Sequence, residues 1–183
     1  MMADSDCQIL DFDFKAQNLS LPLDFTGAAP ESLLFGSVPA SVYKSLSTNN
    51  VTFNAHNNGL SPDKYLNSST LSSMVAVLST NFDRNGKAFV SSYEGRHYPI
   101  WGLQFHPSRL AYEWKAWEEM NHSIQAVVDM QYVAYFMYNQ GRFNHHHFDP
   151  DFLHQVIIYN TPPRYTPSLC SVFELSYIWT DFE

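Results

Sequence analysis

The run Tyr98-Pro99-Ile100-Trp101-Gly102-Leu103-Gln104-Phe105-His106-Pro107 constrains this chain more than any other stretch. An apolar, β-prone segment ends on a histidine, and the proline behind it cannot extend a central strand. The chain must turn there, so the imidazole sits at a rigid strand exit. In open α/β sheets, groups at the carboxyl ends of strands project into the ligand crevice. His106 is therefore a candidate general base of the kind that activates a thiol. The competing reading is a capped histidine at a sheet edge, with no chemistry.

The surrounding pattern is β-rich. Leu10 to Phe14 reads as extended, and residues 26–41, punctuated by Gly27, Pro30, Gly36 and Pro39, read as a loop with a short helical turn. Val51 to Ala55 reads as a strand closed by His56-Asn57-Asn58-Gly59. Ser73 to Ser79 and Ala88 to Tyr93 read as strands around the hairpin turn Asp83-Arg84-Asn85-Gly86, and Tyr98 to Phe105 as a third strand after Glu94-Gly95-Arg96-His97. The spacing then predicts a helix from about Ser123 to Asn139, stopped at Gly141. Ile124, Val127, Val128 and Tyr135 mark one face of it, and Met130, Ala134 and Met137 a neighbouring one. The proline-rich tail carries one apolar segment, Gln155 to Tyr159, that reads as a strand. This divides the chain into a main domain, residues 1–143, and an irregular extension, residues 144–183.

With 18 acidic against 10 basic residues and a formal charge of -8, nothing in the chain suits nucleic acid or an anionic membrane surface. No apolar run is long enough to span a bilayer. The first residues, Met1 to Cys7, carry neither a basic nor an apolar leader segment and do not read as a signal peptide. Yet four N-x-[ST] sequons, at Asn18, Asn50, Asn67 and Asn121, point to the secretory pathway. The simplest reconciliation is a chain that starts inside a longer protein. Cys7 and Cys170 allow one internal bridge and do not fix the compartment. His145-His146-His147 invites a metal reading, but adjacent side chains project apart and no cysteine or carboxylate cluster completes a site. No metal site, phosphate loop or cofactor is expected. Aromatic residues near Tyr93 and Trp101 could line a groove for a flat aryl group.

The stretch Phe89 to Pro107, with its Glu94-Gly95, Tyr98-Pro99 and Gly102-x-Gln104-x-His106-Pro107 spacing, resembles the gamma-glutamyl hydrolase (folate conjugase) family. That family belongs to the class I glutamine-amidotransferase-like cysteine peptidases. Pro22-Leu23-Asp24-Phe25-Thr26, Phe53-x-x-His56, Tyr112-Glu113-Trp114 and His145-His146-His147-Phe148 extend the likeness over roughly Leu21 to Cys170. It covers only the C-terminal half of a family member. The resemblance implies an α/β, flavodoxin-like sheet present as its C-terminal portion. It implies His106 as the proton-shuttling histidine and His56 as a second histidine lining the substrate site, although His56 also reads as an exposed loop residue. It implies folylpoly-γ-glutamates as substrate, and a lysosomal, vacuolar or extracellular parent.

The departures matter as much. The family nucleophile is a cysteine on a glycine-flanked turn, and neither Cys7 nor Cys170 has a glycine nearby. The nucleophile and the oxyanion-hole amides belong to a half this chain lacks. The usual His-Pro-Glu is here His106-Pro107-Ser108, so the charge that orients the imidazole is missing; Glu113 and Glu94 are the possible substitutes. Three readings stay open: part of a hydrolase, a non-catalytic glycoprotein of the same fold, or a truncated product without its own activity. A half-sheet also leaves an edge through which the chain could self-associate.

Overall fold

A computed structural model of the chain describes residues 9–166 and 175–178. Cys7 and Cys170 lie outside the described residues. The chain packs as two units, Met1–Phe143 and Asn144–Glu183.

In the first unit the elements run β1 (Ala16–Leu21), β2 (Asp24–Phe25), a 3-10 turn (Ala29–Glu31), α1 (Ala40–Thr48), β3 (Thr52–His56), α2 (Pro62–Asn67), α3 (Ser69–Met74), β4 (Val75–Phe82), β5 (Ala88–Gly95), β6 (Trp101–Leu103) and α4 (Ile124–Gly141). The fold is α/β. Strand β1 pairs with β3, and β2, β4, β5 and β6 form a sheet in that order. Every pairing among the described residues is antiparallel.

The hairpin β4–β5 is the longest ladder, because its turn is locally specified. Asp83 Oδ1 accepts from the backbone N–H groups of Asn85 and Lys87, both at 2.8 Å. Gly86 supplies the left-handed residue at φ +76°. The third expected strand is shorter than the apolar run that announced it. Proline at 99 has no N–H to give a ladder, and pairing begins only at Trp101.

Helices α1 and α4 cover one face of the sheet. Val42 and Leu46 of α1, and Ala126, Met130 and Phe136 of α4, close on Leu23, Phe53, Leu78 and Phe105 to form the main core. Burying Ser45 and Asp129 between these helices is tolerated because Ser45 Oγ donates to Asp129 Oδ2 at 2.6 Å and Gln125 donates to Oδ1 at 2.7 Å. Among the described residues of this unit, the opposite face carries the short helices α2 and α3. They leave a cleft of about 370 Å³ among Leu60, Leu71, Met74, Val77 and Tyr93.

Several expectations need correction. Leu10 to Phe14 forms no ladder: it makes an isolated bridge from Asp11 to Gly59 and one bond from the Phe14 N–H to the Asn57 carbonyl, and the first strand lies further on, at Ala16–Leu21. Its pattern was obscured by Asn18 at φ 52° and a register shift between Ala16 and Leu19. Residues 69–74 are helical, so β4 starts at Val75, two residues after the expected Ser73. Of the two faces marked on α4, Ile124, Val128 and Tyr135 face solvent with Val127 half-buried, and Met130 of the neighbouring face is buried with Ala126, Asp129, Val133 and Phe136. The helix is apolar nearly all round, so periodicity alone does not choose the face that packs. Gly141 is the last helical residue, with Arg142 as a right-handed cap, so no left-handed glycine ends this helix.

In the second unit, α5 (Pro150–Val156) is capped by Asp149, whose side chain accepts from the Asp151 and Phe152 N–H groups. A 3-10 turn follows at Ile158–Asn160, and β7 (Arg164–Tyr165) pairs with β8 (Leu175–Ser176). The strand expected at Gln155 to Tyr159 is therefore helix and turn. The Asp149-Pro150 cap with proline at the first helical position outweighs the apolar run.

Candidate active site

The chain leaves β6 along β5 and then crosses to β3. The Gln104 N–H donates to the Ser91 carbonyl, and the His106 N–H donates to the Phe53 carbonyl, both at 2.9 Å. Pro107 turns the chain away. His106 is thus fixed through its backbone between two strands while its imidazole reaches solvent.

His56 ends β3 on the same side of the molecule. Its ring lies edge-on to Phe89, centroids 4.8 Å apart, and tilted against Phe14 at 6.0 Å. It is buried, 8% exposed, which removes the exposed-loop reading. Nδ1 lies 3.1 Å from the Asn58 carbonyl. A carbonyl only accepts, so Nδ1 carries the proton and Nε2 presents a lone pair. Nε2 is buried with no hydrogen-bond partner, a group left able to receive a donor.

Burial holds the His56 pKa below 6.5. The charge of His106 pushes it the same way, while the Asn58 carbonyl and Asp83 oppose it. Burial also holds His106 below 6.5, with the Arg109 guanidinium adding to the effect and Glu113 and Glu118 opposing it. The two imidazoles are close enough for one's charge to be felt by the other, and both are neutral at pH 7. His106 is thus in the state a base requires.

Arg109, three residues past His106, is the charge that acts on it most strongly. Its Nη2 meets Glu113 Oε2 at 2.7 Å and Glu118 Oε1 at 2.6 Å, and its guanidinium lies 4.9 Å from the Phe53 ring centroid. Sequence reading missed Arg109 and Glu118, although the Arg109-x-x-x-Glu113 spacing was legible as an ion pair. Of the substitutes for the absent orienting glutamate, Glu94 is committed elsewhere: it accepts from the Leu33 and Leu34 N–H groups and from Trp101 Nε1. Glu113 is near enough to act on His106 electrostatically, but the Arg109 fork holds it. Among the described residues nothing hydrogen-bonds the His106 ring, and Ser108 lies in a neighbouring groove.

Tyr93 and Trp101 do not share a groove. Tyr93 lies over Gly102 on the cleft side, whereas Trp101 stacks edge-on against Phe136 on the core side, centroids 5.1 Å apart. Of the sequons, Asn50 and Asn67 are exposed. Asn18 and Asn121 spend their amide nitrogens on the carbonyls of Trp117 and Asn50, both at 3.1 Å. No group of three His, Cys, Asp or Glu side chains able to hold a metal occurs among the described residues. No described helix is long and apolar enough to cross a membrane.

The lowered histidines set a pH dependence. The unfolded chain binds protons near pH 6.5 and the folded chain does not. Stability is therefore full above 6.5 and falls as pH drops through the folded-state values. Urea midpoints should decline from pH 7 to pH 5, and His56→Gln should flatten the decline; an unchanged slope in that variant would contradict the assignment.

An α/β sheet delivering a neutral histidine at a strand exit, with a second histidine beside it, matches the class of the glutamine-amidotransferase-like hydrolases. Comparison with characterised proteins narrows the class. No family model matches the chain. It is 37% identical over 155 residues to gamma-glutamyl hydrolase B of Dictyostelium discoideum, covering 84% of this chain and 45% of that protein. It is 35% identical over 164 residues to human gamma-glutamyl hydrolase, covering 88% and 51%, and 29% identical over 168 residues to gamma-glutamyl hydrolase 1 of Arabidopsis thaliana, covering 91% and 48%. The chain belongs to the gamma-glutamyl hydrolase family, and spans about half the length of the relatives it matches.

Proposed function

We propose that this chain supplies the base-bearing half of a gamma-glutamyl hydrolase acting on folylpoly-γ-glutamates. The observation that carries the reading is His106: neutral, solvent-facing and fixed through its backbone at the exit of β6. In the proposed reaction His106 takes the proton of a cysteine thiol, and the thiolate adds to the γ-amide carbonyl. His106 returns the proton to the departing amine as the acyl-thioester forms. Water, deprotonated by the same imidazole, then hydrolyses the thioester and releases the acid. His56, buried beside His106, is assigned to the substrate site as the second histidine. The thiol and the oxyanion hole come from outside the described residues. Incubated alone with a γ-linked glutamate oligomer, the 183-residue chain should release no glutamate. Release abolished by His106→Ala would overturn the half-site reading.

A second reading, a non-catalytic member, is favoured by Ser108 and by the absence, among the described residues, of a carboxylate bonded to the His106 ring. Adding the family's missing half discriminates the two, since a binding protein would remain inactive with it.

In either case we place the mature protein in a lysosome, vacuole or extracellular space, glycosylated at Asn50 and Asn67. Asn18 and Asn121 already use their amide nitrogens inside the fold. Peptide mapping after enzymatic deglycosylation should find conversion to aspartate at the first pair only; conversion at Asn18 would count against the fold around β1.

A further inference from the structure

Several exposed aromatic side chains stand on paired backbone: Tyr135 and Tyr138 lie in α4, Tyr159 in a 3-10 turn and Tyr165 in β7. Among the described residues, two irregular stretches carry more than one. In the loop that follows His106, Tyr112, Trp114 and Trp117 are 78%, 68% and 63% exposed. Past the end of α4, Phe143 and Phe148 are 77% and 63% exposed. Exposure does not separate the two stretches, but the backbone does.

The first stretch is sewn to β1. The Asn18 amide donates to the Trp117 carbonyl at 3.1 Å and accepts from the Glu119 N–H at 2.7 Å, and Ser20 Oγ donates to the Glu119 carbonyl at 2.8 Å. The N–H groups of Tyr112 and Glu113 both donate to the Arg109 carbonyl. The Trp114 ring lies flat on His122, centroids 3.9 Å apart, and Arg109 grips Glu113 and Glu118. The second stretch has no such ties. Helix α4 ends at Gly141 and α5 begins at Pro150. Every residue from 141 to 150 is exposed. Asn144 to Phe148 belong to no helix or strand, and their bonds stay within the segment. The His146 N–H donates to Asn144 Oδ1 at 3.0 Å, and His147 Nδ1 lies 3.3 Å from the His145 carbonyl.

An endoprotease lays several consecutive residues in extended form along its cleft and pairs with their main-chain groups. A tied segment must first break its own bonds, and the free energy of that local opening slows the cut. Asn144 to Phe148 have only the two short-range bonds to give up. We propose that the segment from Phe143 to Asp149 is a site of limited processing by an endoprotease that seats an aromatic side chain in its specificity pocket. Phe143 and Phe148 are the side chains that fill the pocket. Water adds across the peptide bond after the seated phenylalanine, leaving a carboxylate on that residue and an ammonium on the next. The larger unit is spared, since both core clusters, His56 and His106 all precede Phe143. This holds whether or not His106 acts as a base.

The test treats the full 183-residue chain with a trace of chymotrypsin at neutral pH and follows the fragments by mass. Among the bonds of residues 9–166, the first to break should be the one after Phe143 or the one after Phe148. Phe143→Ala combined with Phe148→Ala should slow that cut about 100-fold, because the pocket loses the side chain by which it discriminates. The cut chain should melt at the temperature of the intact one. A first break after any other of these residues, Tyr112, Trp114 and Trp117 included, overturns the proposal, because exposure would then outweigh the ties. So does a double variant cut in this segment at the parent's rate. A cut that lowers the melting temperature overturns it too, since the segment would then be part of what holds the larger unit folded.

Discussion

Replacing Arg109 with leucine is expected to destabilise the chain by about 3–5 kcal/mol, the range for removing one partner of a buried ion pair. The Glu118 side chain is 4% exposed, and one of its oxygens already lacks a partner. Without the guanidinium, its charge stays buried and uncompensated. Glu113, more exposed, loses far less. The effect should be largely reversed by Arg109→Leu combined with Glu118→Leu, because a pair of apolar residues replaces the pair of charges. Urea unfolding of the two variants decides the matter. Equal losses in the single and the double variant would show that Arg109 acts through packing and not through its charge.

Phe53→Ala is the second large change, expected at about 3–5 kcal/mol. Phe53 is fully buried in the main core, its ring underlies the Arg109 guanidinium, and its carbonyl anchors the His106 backbone. A chain with the usual total of about 5–15 kcal/mol would lose a large share of it. Phe53→Leu should recover most of the stability. It should also leave the His106 resonance titrating more freely than in the parent, because the Arg109 side chain loses the aromatic surface that places it. An unchanged His106 titration in Phe53→Leu would show that the Arg109 position does not depend on the ring.

How much of this was readable from residues alone depended on how local the cause was. The hairpin β4–β5 was legible because Asp83 and Gly86 write its turn into four consecutive residues. The place of His106 at a strand exit was legible because Pro107 forces the turn behind it. Helix α2 was signalled by Ser61-Pro62-Asp63, a cap, an N1 proline and a first-turn acid, and could have been read. Helix α1 could not. It has no side-chain cap, and its buried Ser45 makes sense only against Asp129, 84 residues away. The Arg109 cluster was hidden for the same reason. The Arg109–Glu113 pair is local, but the packing on Phe53 and the burial of Glu118 are made by tertiary contacts. The separation of Tyr93 from Trp101 turned on strand parity, which a sequence shows only once the register is known.

The shortness of β2 has a consequence for self-association. A sheet with two receptive sides can be extended indefinitely by copies of itself, which is the route to fibres. In the four-stranded sheet β6 is one margin and β2, only two residues long, is the other, so the second margin offers almost no ladder. Growth of that sheet in register therefore has no second margin from which to begin.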